Sequence, residues 1–227
     1  MTSSVRAGAG GPAARAADDP FSGSVLRSAL VALVSLKIMG LLLIFDPGGA
    51  QAFDLPKSLF SRAVEWLIAA TLLLSLASFG PRIVPRTRLH AAAAAVLLAT
   101  ALSAAFAEQR YLALFGEQER YLGLTFVVDM ALLYLAVAVA FRDRADWALL
   151  SVALALASVV VCAYALLQAF GLDPVRWSGP ASLAFSTLGH NNFLGQFLSV
   201  AFAAAAAFAV LPRRHPRLAR AGGLGLA

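Results

Sequence analysis

The chain is expected to be all-α, a polytopic helical membrane protein of about six transmembrane helices plus the start of a seventh. Three observations carry that expectation. Hydrophobic residues make up 60% of the 227 positions and charged ones only 13%, where soluble domains carry about a quarter charged. The mean hydropathy is +0.79. The apolar residues are also gathered into runs near the ~20 residues that a helix needs to cross a bilayer.

Those runs fall at 25–45, 59–79, 89–107, 122–141, 147–170 and 185–211. Their Leu, Ala, Val and Phe content suits helices, whereas a β-barrel would show short alternating segments. Short connections rich in Pro, Gly and charge separate them. Residues 1–24 are Ala, Gly, Ser and Arg with Asp18-Asp19-Pro20, and their lack of periodicity predicts a disordered cytoplasmic tail. Residues 25–211 form the six-helix transmembrane domain. Residues 212–227 are expected to be a cytoplasmic loop and the start of a truncated seventh span.

Charge sets the orientation. Arg6, Arg15, Arg27, Arg82, Arg86, Arg88, Arg142, Arg144, Arg213, Arg214, Arg217 and Arg220 fall on one side, and Lys57, Arg62, Arg110, Arg120 and Arg176 on the other. The richer side is cytoplasmic by the positive-inside rule, which places the N-terminus there. The same rule accounts for the net charge of +6 without a nucleic-acid partner. The single cysteine, Cys162, lies in an apolar run, so neither a disulfide framework nor a metal cluster is indicated.

Chemistry is then sought in the outward loops. Phe53-Asp54-Leu55-Pro56-Lys57 precedes the second span. Pro56 suits a first helical turn, where its missing N–H is not needed. Lys57 is placed near the headgroups, as a snorkelling anchor or an anion ligand. The loop 115–124 runs Phe115-Gly116 to Arg120-Tyr121-Leu122-Gly123-Leu124. The guanidinium fork of Arg120 suits a phosphate or carboxylate, with a salt bridge to Glu117 or Glu119 as the plainer alternative. The sixth run opens with Leu188-Gly189-His190-Asn191-Asn192-Phe193-Leu194-Gly195-Gln196. Amides and an imidazole are costly in lipid, and they mark a functional lining or interhelical hydrogen bonding. Gly189, Asn192, Gln196 and Ser199 follow helical spacing and are expected to face the bundle. His190 and Asn191 fall outside that stripe, at an unwound or interfacial start.

Three ionisable residues lie within the spans. Lys37 and Asp129 sit about 10–12 Å below the same surface at ~1.5 Å per residue, and Glu65 is somewhat shallower. A structural ion pair between Lys37 and Asp129 is expected, with Glu65 as the alternative partner.

In their order and outward placement, the segments 53–57, 115–124 and 188–196 resemble the N-terminal half of the O-antigen ligase / O-antigen polymerase family of bacterial membrane proteins. The family often carries Asn-Pro-Asn-Phe-Leu-Gly where this chain has His190-Asn191-Asn192-Phe193-Leu194-Gly195. The resemblance covers roughly residues 25–211. It implies a glycan transferase of the inner (cytoplasmic) membrane that moves a saccharide from undecaprenyl diphosphate to an acceptor outside the cytoplasm, without a cofactor or metal. It also implies membrane lipid and other envelope-assembly membrane proteins as partners. Arg120 and the element Gly189, His190, Asn191 and Asn192 are the substrate-binding candidates that the matching positions imply, and Lys57 joins them as a cation at the depth of an outer-leaflet diphosphate. The family's catalytic histidine lies in a C-terminal half that has no match here, so no residue is assigned a catalytic role and the chain is expected to be inactive by itself. A small-molecule or ion transporter, and a non-catalytic membrane protein derived from the family, are the alternatives.

Overall fold

The computed structural model describes residues 20–49, 51–117, 121–175, 177 and 184–214. In chain order the helices are α1 (Val25–Leu43), α2 (Asp54–Phe79), α3 (Leu89–Ala105), α4 (Arg110–Phe115), α5 (Leu124–Ala140), α6 (Arg144–Ala169) and α7 (Asn191–Arg214), with single 3-10 turns at Pro81–Ile83 and Ser186–Leu188. There is no strand among the described residues. Each of the six apolar runs coincides with one helix, and the short α4 is added in the loop before α5.

Length separates these helices. α1, α2 and α6 are long and apolar enough to cross a membrane, whereas α3 and α5 are apolar but have only 17 residues each. At ~1.5 Å per residue, 17 residues reach about 26 Å, short of a hydrocarbon layer of ~30 Å. The outer faces of α2, α3 and α6 expose large apolar side chains, among them Leu73, Leu98 and Val159. So continuous an apolar surface is rare on a soluble monomer. The protein is therefore an all-helical membrane protein.

α1 is the hub, packed against α2, α5 and α6. Its buried residues Leu30, Val31, Val34, Lys37 and Gly40 recur at the spacing of one helical face. Leu30, Val31 and Val34 share one core with Val64, Ile68 and Leu72 of α2 and Ala136, Val139 and Ala140 of α5. Gly40 lets the α1–α2 hairpin close. A Cβ there would lie 2.2 Å from the Phe60 ring.

The N-terminal end of α1 is fixed by polar groups. Ser24 caps the helix by accepting from the Arg27 N–H at 3.2 Å. The Arg27 guanidinium, itself buried, donates to the Ala140 carbonyl that ends α5 at 3.0 Å. It also pairs with Asp143 at 2.7 Å and with Asp146, the two residues of the capping box that opens α6. One arginine thus holds three helix ends together.

Two expectations are corrected here. The tail reading of residues 1–24 does not hold for 20–24. Phe21 is fully buried, its ring 5.3 Å from that of Phe79 with the Arg142 guanidinium over it. A phenylalanine among polar residues was the available signal. Residues 1–19 and 215–227, with the expected seventh span, lie outside the described residues. The sixth run also starts its helix later than expected, at Asn191, because Gly189 adopts φ 83 and ends the preceding 3-10 turn.

Replacing Gly40 with leucine should push Phe60 aside and cost about 1–3 kcal/mol. Thermal unfolding in detergent checks this, with a lowered midpoint as the expected result.

Candidate functional site

The first turns of α2 and α5 flank a cleft at one end of the bundle. A polar stripe runs along α2 through Asp54, Ser58, Ser61, Arg62 and Glu65, at helical spacing on an otherwise apolar helix. Asp54, Lys57, Arg62, Tyr121 and Asp129 line a cleft of about 180 Å³. Arg62 and Asp129 also line a deeper cavity of about 310 Å³, reaching Glu65, Trp66, Thr125 and Leu132.

Lys57 joins the motifs. It lines the cleft together with Tyr121 of the second motif. Its Nζ donates 2.7 Å to the carbonyl of Thr187, beside the third motif, and lies 5.8 Å from the centre of the Phe53 ring. Thr187 is buried and donates in turn to the Leu42 carbonyl at 2.6 Å, on the last turn of α1. Gly189 is fitted against Phe53, where a Cβ would meet the ring at 2.4 Å. The segments 53–57 and 187–189 therefore form one structural unit.

A polar and aromatic scaffold carries that unit. Phe53 stacks on Phe45 and Trp177 and meets Phe185 edge-on. Asp173 organises the loop after α6, accepting from the Val175 N–H, Trp177 Nε1, Gln168 Nε2 and Tyr164 Oη at 2.8–3.1 Å. Burial pushes its carboxyl up, but these hydrogen bonds outweigh burial and hold it below its ordinary value. Gln168 Oε1 accepts from the N–H groups of Phe185 and Ser186 at 3.0 and 2.7 Å, and Ser186 donates to the Val161 carbonyl. The chain is thereby folded back onto α6 just before Thr187.

The remaining candidates are placed differently. Arg120 lies outside the described residues. His190, Asn191 and Asn192 are exposed. His190 Nδ1 and Asn191 Oδ1 both accept from the Asn192 N–H, at 3.1 and 3.0 Å, so these two side chains cap α7. Asn192, Gln196 and Ser199 face outward, and Leu194 is the buried residue of the first α7 turns. The expectation of a bundle-facing amide stripe is thus overturned. Of the other elements, α7 makes its main contact with the 3-10 turn before it, so little protein is present to cover the amides.

Of the two partners expected for Lys37, the structure pairs it with the alternative, Glu65, and not with Asp129. Lys37 forms its salt bridge with Glu65, both side chains being shielded from solvent, and donates further to the Ser61 carbonyl at 3.4 Å. Asp129 pairs with Arg62 Nε at 3.7 Å, and Arg62 donates to Thr125 Oγ1 at 3.2 Å. Depth along a helix follows from residue counting, but azimuth does not. Arg62 and Glu65, three residues apart, lie on adjacent strips of α2, one serving Asp129 on α5 and the other Lys37 on α1. Arg62 is the residue that sequence reasoning passed over, and the α2 polar stripe was the signal for it. Glu65 Oε1 is buried without a hydrogen-bond partner among the described residues. These also contain no cluster of His, Cys, Asp or Glu able to hold a metal ion.

Compared with known proteins, the chain matches no family model, no curated protein and no solved structure.

Two glycines of the third motif should respond oppositely to alanine. Gly189→Ala must carry a side chain at φ 83 against Phe53 and should lower the unfolding midpoint. Gly195 lies inside α7 with open space at its Cβ position, so Gly195→Ala should be neutral or stabilise by up to about 1 kcal/mol. Thermal unfolding of the two variants side by side checks the contrast.

Proposed function

We propose that this chain is the N-terminal portion of an O-antigen ligase/polymerase-like protein of the bacterial cytoplasmic membrane, holding an undecaprenyl-diphosphate-linked glycan at the outer face. In this reading α1, α2, α3, α5, α6 and α7 cross the membrane with the N-terminus in the cytoplasm. The short α3 and α5 are accommodated by local thinning of the bilayer. The cleft between α2 and α5 then opens near the outer headgroups.

The observation that carries the reading is the position of Lys57, which lines the cleft with Tyr121 and bonds to the Thr187 carbonyl. A diphosphate at the membrane surface requires cations at its own depth. Lys57 has three donors, of which the carbonyl takes one, and Arg62 stands one turn further along the cleft. The apolar walls of the deeper cavity suit a prenyl chain. Transfer chemistry needs groups that stabilise a transition state as well as groups that bind. In the family that these segments resemble, the catalytic histidine belongs to a different element, and this reading assigns the residues here to binding alone.

A transporter would use the intramembrane charges as a relay. The pairing of Lys37 with Glu65 and of Arg62 with Asp129 supports a structural role for them instead. A non-catalytic protein derived from the family would share the binding site. It differs in yielding no product when co-expressed with the C-terminal half of a family member.

Binding is measured by titrating the detergent-purified chain with undecaprenyl diphosphate and, separately, with undecaprenol. The diphosphate should bind more tightly. Lys57→Ala should weaken it by roughly tenfold to a hundredfold, the worth of a hydrogen bond to a charged group at ~1.5–3 kcal/mol. Equal affinity for both lipids, or no effect of Lys57→Ala, overturns the reading.

A further inference from the structure

The loop between α2 and α3 carries an unused concentration of positive charge. Arg82, Arg86 and Arg88 fall within seven residues, and no acidic residue occurs between Glu65 and Glu108. All three are exposed, and none of their guanidinium groups has an ion-pair or hydrogen-bond partner among the described residues. By contrast, Arg27 and Arg62 are each engaged by a carboxylate.

The loop is nevertheless held in one shape. Ile83 is buried in the core and its carbonyl accepts from Arg142 at 2.5 Å. The Val84 N–H closes the 3-10 turn onto the Pro81 carbonyl at 3.2 Å. His90 Nε2 bonds to the Pro85 carbonyl at 2.6 Å, while its Nδ1 meets the Tyr134 hydroxyl at 3.0 Å. Pro81 and Pro85 restrict the backbone further. Between them opens a shallow basin of about 550 Å³, rimmed by Arg86, Thr87 and Arg88, while Arg82 lines an adjoining hollow that shares Arg86 with it.

What fits it is set by what lies beside it. The basin adjoins α3, whose Leu89, Val96, Leu98 and Leu102 are exposed along the helix. A soluble anion would meet only the arginines, whereas an anionic phospholipid would meet both surfaces. We infer that the Arg82–Arg86–Arg88 loop is a binding site for an anionic phospholipid, its phosphate held by the guanidinium groups and its acyl chains lying along α3. Guanidinium groups grip phosphate oxygens in a bidentate manner, and a juxtamembrane basic cluster gains roughly fivefold in affinity per arginine near an anionic surface. The backbone of the loop is held in place, so the ordering that opposes binding is confined to the arginine side chains. It also covers the short α3, whose end the bound lipid would extend with its own headgroup. The inference rests on the membrane character of the chain and on no particular activity.

The test is native mass spectrometry of the full chain in detergent, titrated with equal amounts of phosphatidylglycerol and phosphatidylcholine. The wild type should retain phosphatidylglycerol with a preference of about tenfold or more, reduced by added salt because the contact is ionic. The R82Q/R86Q/R88Q variant should lose the preference, and the R82K/R86K/R88K variant should keep part of it. Where the glutamine variant does not fold, the single Arg86→Gln change and the salt dependence of the wild type decide. Absence of a preference in the wild type, or its persistence in a folded glutamine variant, overturns the inference. Displacement of the lipid by millimolar inorganic phosphate also overturns it, by showing a site for free anion.

Discussion

Lys37 and Glu65 meet between α1 and α2 with neither side chain open to solvent, and most of the bundle is arranged around that contact. An ammonium and a carboxylate at such depth are each costly alone, by several kcal/mol even after relaxation. Together they hold α1 and α2 at one rotation and one height. Gly40, one turn further along α1, allows the approach by leaving room for Phe60. The register set there places Arg62 toward α5, where it meets Asp129, and so opens the cleft whose other wall is α5.

The two ends of the bundle use charge differently. At the N-terminal end of α1, Arg27 draws together the carbonyl that ends α5 and the two aspartates that open α6. Terminal helix groups are thereby satisfied within the protein, by a guanidinium that is itself buried although Asp143 remains exposed. At the opposite end, aromatic rings and a single aspartate do the equivalent work. Asp173 collects four donors, and the ring group around Phe53 fixes the chain just before Thr187. Lys57 is left with spare donors beside a cleft, which is the property the functional proposal uses.

Much of this was legible in the sequence. Apolar runs located six of the helices to within a few residues, except at the starts of α2 and α7. α2 begins early because Asp54 and Pro56 are both acceptable in a first turn. α7 begins late because Gly189 takes a left-handed conformation, which residue type allows but does not require. Lys37, Glu65 and Asp129 were recognisable as buried charges, but the choice of Glu65 over Asp129 for Lys37, and of Arg62 for Asp129, was not, since pairing depends on how each helix is rotated about its axis. His190 and Asn191 looked like ligands by composition. In the folded chain they cap α7, a role that polar residues ahead of an apolar helix fill as readily. The amides of α7 were expected to face inward because lipid is a poor solvent for them. Their exposure follows from how little of the described protein packs against that helix.

The dependence of the bundle on the α1–α2 ion pair is measured most directly by a double-mutant cycle of Lys37→Met, Glu65→Leu and both together, followed by thermal unfolding in detergent. Each single change strands a buried charge and should cost about 3–5 kcal/mol, while the double variant, with neither charge present, should recover most of that loss. A double variant as unstable as the sum of the two singles would contradict the account.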